Sequence, residues 1–217
     1  MEPGKFISIE GGEGVGKSTV IKALKERLNQ RGIDVVSTRE PGGTSTGKQI
    51  RSLFLDPKNG TTLAPKTDLF LMAADRAQHI AEVINPALER GAWVLCDRFF
   101  DSTRVYQGDL NGVSPSQLET VLEICVGERQ PHLTLLLDCD VDILLARVRS
   151  RSSETGATDE SRFDQSSRNS HEKIRDGFKK LMDRFPNRVK LVDAAQQQSD
   201  VVKDAWQQIE RHFKFNG

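Results

Sequence analysis

Short apolar runs alternate along the chain with longer stretches in which apolar residues recur every three or four positions. That rhythm predicts strand and helix in turn. Residues 5–10, built on Phe6, Ile7 and Ile9, read as a first strand. A helix over 17–30 follows, with Ile21, Leu24 and Leu28 on one face and Gly32 as its stop. A short second strand is expected at 35–37, then a loop at 39–44 dense in turn formers, a short helix at 49–55 and a polar loop at 56–63. A long helix should span 65–90, opened by Pro65 and stopped by Gly91, with Asn85-Pro86 marking a kink or break. Residues 92–96 are almost continuously apolar, as a central parallel strand should be, and they run into Asp97-Arg98. Beyond them the pattern predicts a helix at 115–126 capped by Ser114, a strand at 133–138 and a helix at 141–151. Residues 152–161 are polar and lack any large apolar side chain, which predicts an exposed flexible segment. A helix at 162–185, a last strand at 189–192 and an amphipathic helix at 200–213 close the chain. Five strands with four crossovers predict an α/β fold, a doubly wound five-stranded parallel sheet. Its ligands should lie outside the carboxyl ends of the strands.

Length and charge narrow this further. The 217 residues fit a single domain over 1–217, ample for a buried core. Lys plus Arg and Asp plus Glu number 31 each, so no global basic field points to nucleic acid, and anionic ligands must be met by local clusters. Cys96, Cys125 and Cys139 lie in or beside apolar runs and read as small buried hydrophobes in a reducing compartment, not as a disulfide frame. None has zinc-ligand spacing. The chain enters a strand almost at once, with no signal peptide and no apolar run of bilayer length. The expectation is a soluble cytoplasmic protein with no membrane partner.

The candidate chemistry starts at Gly11, Gly12, Glu13, Gly14, Val15, Gly16, Lys17 and Ser18. This is G-x-x-x-x-G-K-[ST] between a strand and a helix, the context a phosphate loop requires. Glycines let backbone N–H groups curl around a polyphosphate. The helix N-terminus adds partial positive charge, Lys17 an ammonium and Ser18 a hydroxyl for Mg²⁺. Arg39 and Arg98 follow predicted strand ends and Arg76 lies on the long helix. A guanidinium grips phosphate through a bidentate fork, so these arginines suit a second anionic substrate. Asp97 reads either as a helix N-cap or as a carboxylate near Mg²⁺. Arg147, Arg149 and Arg151 before the polar segment, and Arg162 after it, read as a lid over 147–162 that brings arginines to the phosphates and excludes water. A kinase acting on another nucleotide or nucleoside, and a P-loop ATPase or GTPase switch, are the competing readings. No Asn/Thr-Lys-x-Asp guanine motif supports the switch.

Several stretches go beyond the phosphate loop: Phe6 to Glu10 leading into it, Thr38-Arg39-Glu40-Pro41-Gly42-Gly43-Thr44, and Ala74-Asp75-Arg76-Ala77-Gln78-His79. Asp97-Arg98 continuing to Asp101-Ser102-Thr103 and Tyr106-Gln107-Gly108, Pro131 to Thr134, Arg162-Phe163, and His171 to Arg175 follow in order. In these the whole chain resembles the bacterial thymidylate kinases, a branch of the P-loop nucleoside monophosphate kinases. The resemblance implies transfer of the ATP γ-phosphate to dTMP, giving dTDP and ADP with Mg²⁺ on the route to dTTP. It implies that Lys17 and residues 11–18 bind ATP, that Ser18 and Asp97 serve Mg²⁺, and that Arg39 and Arg98 hold the acceptor 5′-phosphate. By it, Arg76 reaches the thymine edge and Ser102, Thr103 and Gln107 contact the base. Tyr106 packs under the deoxyribose and Glu13 approaches the 3′-hydroxyl. Met72 stands where the family places an aromatic over thymine, and a thioether packs on a base face there. The loop carries Gly14 and Val15 where one branch has an arginine, so the resemblance points to Arg149, Arg151 and Arg162 for the catalytic arginine. It also implies a homodimer. The chemistry agrees: the acceptor is a phosphate monoester, largely a dianion at neutral pH, and it needs no strong general base.

Overall fold

Strand β1, Phe6–Glu10, is buried along its whole length at the centre of the sheet. The computed structural model describes residues 3–55, 63–155 and 167–215. Its five strands are β1, β2 (Val35–Arg39), β3 (Trp93–Asp97), β4 (Leu133–Asp138) and β5 (Val189–Asp193). They lie in the order β2-β3-β1-β4-β5, all parallel. Side-chain alternation divides the two faces. Ile7, Ile9, Trp93, Leu95, Leu133 and Leu135 pack beneath α1 (Lys17–Gln30) and α9 (Gln198–Phe213). Phe6, Val94 and Cys96 pack on the opposite side, against α3 (Pro65–His79), α4 (Asn85–Glu89) and α6 (Pro115–Val126). On that second face, beside Phe6, β1 also carries Ser8 and Glu10, both buried. Burying one such Ile, Leu or Phe contributes roughly 1.5–3 kcal/mol, and these two clusters hold the sheet between its helices.

The remaining helices of the described residues are α2 (Ser45–Leu55), α5 (Phe100–Thr103), α7 (Val141–Thr155) and α8 (Arg168–Arg184). At the expected kink or break around Asn85-Pro86 the helix changes pitch. Ile80–Ile84 form a π-helical turn in which the Asn85 N–H reaches back five residues to the Ile80 carbonyl. Proline has no N–H to donate, and the shifted pairing lets the helical run continue through it. A second π segment, Arg104–Leu110, extends α5 and turns Val105, Tyr106 and Gln107 inward. No element had been expected there.

Several boundaries move. The second strand ends at Arg39, not residue 37, and Asp97 closes β3, so both residues are the last of their strands. Register with a neighbour extends each strand past its apolar run: Arg39 pairs with Asp97, and Asp97 with Ile9. Helix α2 starts at Ser45 instead of 49, and α7 continues to Thr155, so residues 152–155 are helical. Helix α8 starts at Arg168, where the Ser167 side chain accepts the Ser170 N–H as an N-cap. The expected start at 162, and residues 156–161 of the polar segment, lie outside the described residues. Ser114 occupies the N-cap of α6, but its hydroxyl bonds the Ser116 hydroxyl at 3.4 Å and caps no helix N–H. Cys96, Cys125 and Cys139 are free thiols, two of them buried. Among the described residues, no helix is long and apolar enough to cross a membrane.

Candidate functional site

At the carboxyl edge of the sheet, β1 turns sharply into the loop at Gly11. Its φ is +134°, and a Cβ there would stand 2.3 Å from the Leu137 carbonyl oxygen, so no other residue fits. The loop ends at Gly16, the N-cap of α1, with no side chain capping the helix. Its first-turn N–H groups are therefore free to receive an anion. Lys17 folds back over the loop and donates to the carbonyls of Gly11 (3.2 Å) and Gly12 (2.9 Å). Burial, followed by the nearby Arg98, lowers its ammonium to about 8. The Ser18 hydroxyl donates to Asp97 Oδ2 at 3.4 Å. The end of β3 and the start of α1 thus bring a hydroxyl and a carboxylate together beside the loop.

Glu13, inside the loop, joins this region to a second one. Its Oε1 accepts from Arg98 Nη2 at 2.9 Å and from the Tyr106 hydroxyl at 2.6 Å, while Oε2 is buried with no hydrogen-bond partner. Burial would raise this carboxyl, but the Arg98 and Lys17 cations outweigh it and hold Glu13 below its ordinary value. The Arg98 guanidinium lies 5.1 Å over the Tyr106 ring and donates through Nη1 to Ser102 Oγ at 3.2 Å. Burial, set against the neighbouring Arg98, keeps the Tyr106 phenol well above its usual range and so neutral. Ser102 in turn donates to Glu10 Oε2 at 2.6 Å, and the Phe99 N–H donates to Glu10 Oε1 at 2.8 Å. Burial and Asp101 push Glu10 up to about 7.

Beneath the 39–44 loop lies a third group. Glu40, 4% exposed, accepts from Arg76 Nε at 2.8 Å, lies 2.8 Å from Arg76 Nη2, and bonds His79 Nδ1 at 2.8 Å. His79 Nε2 bonds the Thr38 hydroxyl at 2.7 Å. The loop rests on that ring so closely that a Cβ at Gly43 would stand 2.5 Å from it. Asp75 Oδ1 accepts the Gly42 N–H at 3.0 Å, and burial together with Glu40 raises its carboxyl to about 6. Arg76 Nη1 is buried without a hydrogen-bond partner, and the guanidinium sits 5.3 Å from the Phe99 ring. The arrangement holds the Arg76 guanidinium beneath the loop against Glu40, with Nη1 left without a partner.

The sequence has counterparts. The family model described as Thymidylate kinase matches residues 9–205. The chain is 47% identical over 201 residues to the thymidylate kinase of Syntrophotalea carbinolica, covering 93% of each chain. It is 45% identical over 213 residues to that of Desulfovibrio desulfuricans, covering 98% of each. To that of Halalkalibacterium halodurans it is 40% identical over 213 residues, covering 98% of this chain and 99% of the relative. The chain belongs to the thymidylate kinase family.

For a thymidylate kinase, the expected site residues divide into three groups. Glu13, Arg98, Ser102 and Tyr106 meet in one bonded cluster, with Lys17, Ser18 and Asp97 alongside. Thr103 and Gln107 are buried on the same α5–π segment, and Met72 is buried one helical turn before Arg76. Arg39 ends β2 in register with Asp97. It is exposed and, among the described residues, its side chain has no hydrogen-bond or ion-pair partner. Arg149 is exposed on α7, the side chain of Arg151 lies outside the description, and Arg162 lies outside the described residues. Asp97 is not a helix N-cap. Phe99 occupies that position of α5, and Glu10 from the neighbouring strand accepts its N–H. Glu10, Glu40, Asp75 and His79 stood inside the quoted motifs with no role attached. One signal could have flagged Glu10: an acid at an inward position of a strand that is otherwise apolar but for Ser8 must have a partner.

Proposed function

We propose that this thymidylate kinase transfers the γ-phosphoryl group of ATP to the 5′-phosphate of dTMP, and that the cluster around Glu13 is where the two substrates meet. The observation carrying the reading is that one loop carboxylate bonds both Arg98 and Tyr106, so the ATP loop and the acceptor region share a wall. Residues 11–18 hold the ATP phosphates, with Lys17 swinging from the loop carbonyls onto them. Arg98 and Arg39 grip the acceptor phosphate, Tyr106 packs against the sugar, and the unpartnered Glu13 Oε2 accepts the 3′-hydroxyl. Arg76, Met72, Ser102, Thr103 and Gln107 bound the base.

An oxygen of the acceptor dianion attacks the γ-phosphorus in line as the bond to the β-phosphate oxygen breaks, releasing ADP. The acceptor is already ionised, so the residues position and neutralise charge and take no proton. Arg149, Arg151 and Arg162 are the cations assigned to the transferring group. The oxygen pair Ser18 and Asp97 fits Mg²⁺, which takes few protein ligands and leaves its other positions to water and phosphate. When bound, the ion supplies charge neutralisation to the ATP phosphates. A homodimer completes the reading: α3 and α6 pack together and leave Phe70 and Ile124 exposed at 60% and 80%, apolar surface that a second copy would cover.

Coupled ADP release with dTMP, dUMP, dCMP and dAMP at equal concentration tests the assignment. dTMP should be turned over fastest. Equal or faster turnover of another monophosphate overturns the specificity, and ATP hydrolysis indifferent to all four would favour a switch ATPase.

A further inference from the structure

Arg98 is one of two non-glycine residues of the described chain with positive φ, at +67°. The left-handed region is strained for an L-residue, and such strain persists only where neighbouring structure fixes it. Here the fixing comes from β1. The Arg98 N–H donates to the Ile9 carbonyl at 3.0 Å, and the next N–H, of Phe99, donates to the Glu10 carboxylate at 2.8 Å. The strained residue is therefore bracketed by bonds to two consecutive residues of the strand that leads into the phosphate loop. The other Glu10 oxygen receives the Ser102 hydroxyl at 2.6 Å. With its proton committed there, Ser102 Oγ turns a lone pair to Arg98 Nη1. Glu10 thus constrains Arg98 at both ends, backbone and guanidinium. It is itself 1% exposed, too deep to meet a substrate.

We infer that Glu10 is a positioning residue that holds Arg98 in its left-handed conformation and aims its guanidinium at the acceptor phosphate. This rests on the assignment of Arg98 above. A carboxylate is well suited to the task. It accepts two bonds at once, and a buried side chain on a central strand moves less than any loop. Because Glu10 immediately precedes Gly11, the same strand end fixes the acceptor's arginine and the donor's loop relative to each other.

A double-mutant cycle between Glu10→Ala and Arg98→Ala, read as separate KM values for dTMP and ATP, tests this. Glu10→Ala should raise the KM for dTMP about tenfold or more while leaving that for ATP within about twofold. Glu10→Gln keeps an acceptor for the Phe99 N–H and should recover most of the loss. In the Arg98→Ala background, Glu10→Ala should change the dTMP KM by less than about twofold, because the two act as a unit. Full additivity, or equal loss for both substrates, overturns the inference while leaving Arg98 assigned. An unchanged dTMP KM in Arg98→Ala alone removes the assignment of Arg98, and the inference with it. Glu10→Met, which fills the buried space without an acceptor, carries the same cycle if the alanine variant does not fold.

Discussion

Removing the charge of Glu40 probes what the buried acids of this site do. Glu40 and Arg76 have side chains only 3% exposed, and the carboxylate receives the guanidinium through Nε and lies 2.8 Å from Nη2. Glu40→Gln leaves Arg76 buried as an uncompensated cation. Breaking a pair of this kind by removing one partner costs about 3–5 kcal/mol, a large part of a typical total of about 5–15 kcal/mol. In a chain of this length each 1 kcal/mol shifts Tm by about 2–4 °C, so a fall of roughly 6–20 °C is expected.

Replacing both partners, Glu40→Gln with Arg76→Met, removes the orphaned charge and should recover most of the stability. A buried pair contributes little over an apolar replacement. Urea unfolding followed by the fluorescence of Trp93 on β3 and Trp206 on α9, both buried in the core on that face of the sheet, gives the free energies directly. The double variant should fold and bind ATP yet lose dTMP. If it is no more stable than the single variant, or if Glu40→Gln lies within about 1 kcal/mol of the unaltered protein, the pair is not the buried charge couple described.

Asp75 supplies a pH test. Its folded carboxyl, at about 6, lies above the ordinary 3.8, so the folded state holds the proton more tightly. Stability from this group is therefore greatest below about 3.8, declines as pH rises to 6, and stays lowered by about 3 kcal/mol above it. Asp75→Asn, which keeps an acceptor for the Gly42 N–H, should gain about that much relative to the unaltered protein between pH 4 and 7.5, read from urea midpoints. A difference independent of pH excludes the raised carboxyl. For the homodimer, sedimentation velocity should show two copies, with Phe70→Glu combined with Ile124→Glu giving monomers. A dimer that survives both changes lies on another face.

The strands were legible because a parallel strand buried on both faces must be largely apolar: residues 92–96 are so throughout, and 133–137 are but for Thr134. Their ends were less so. Arg39 and Asp97 belong to β2 and β3 because each pairs with a residue far away in the chain, and polar character alone argued for loop. The phosphate loop was readable as a contiguous motif. The acids beside it were not: Glu10 meets Phe99 and Ser102, and Glu40 meets Arg76 and His79, across 36 to 92 positions that only the fold brings together. Arginines drew attention by their suitability for phosphate. Of Glu10 and Glu40, only Glu10 carries a local sign, an acid at the end of a mostly apolar strand.

Those carboxylates explain how a chain with no net charge can bind two phosphorylated substrates. An unpaired cluster of arginines would attract any anion and would spread apart in its absence. Here Arg98 rests on Glu13 and Arg76 on Glu40, so each cation is already oriented before a substrate arrives. On the proposed assignment of Arg98, the cost is competition, since an acceptor phosphate would draw Arg98 away from Glu13 or share it. The gain is that little reorganisation remains at the moment of transfer, which is where electrostatic catalysis derives its strength. Glu13 sits in the phosphate loop itself, so on the proposed assignment one carboxylate would face both substrates.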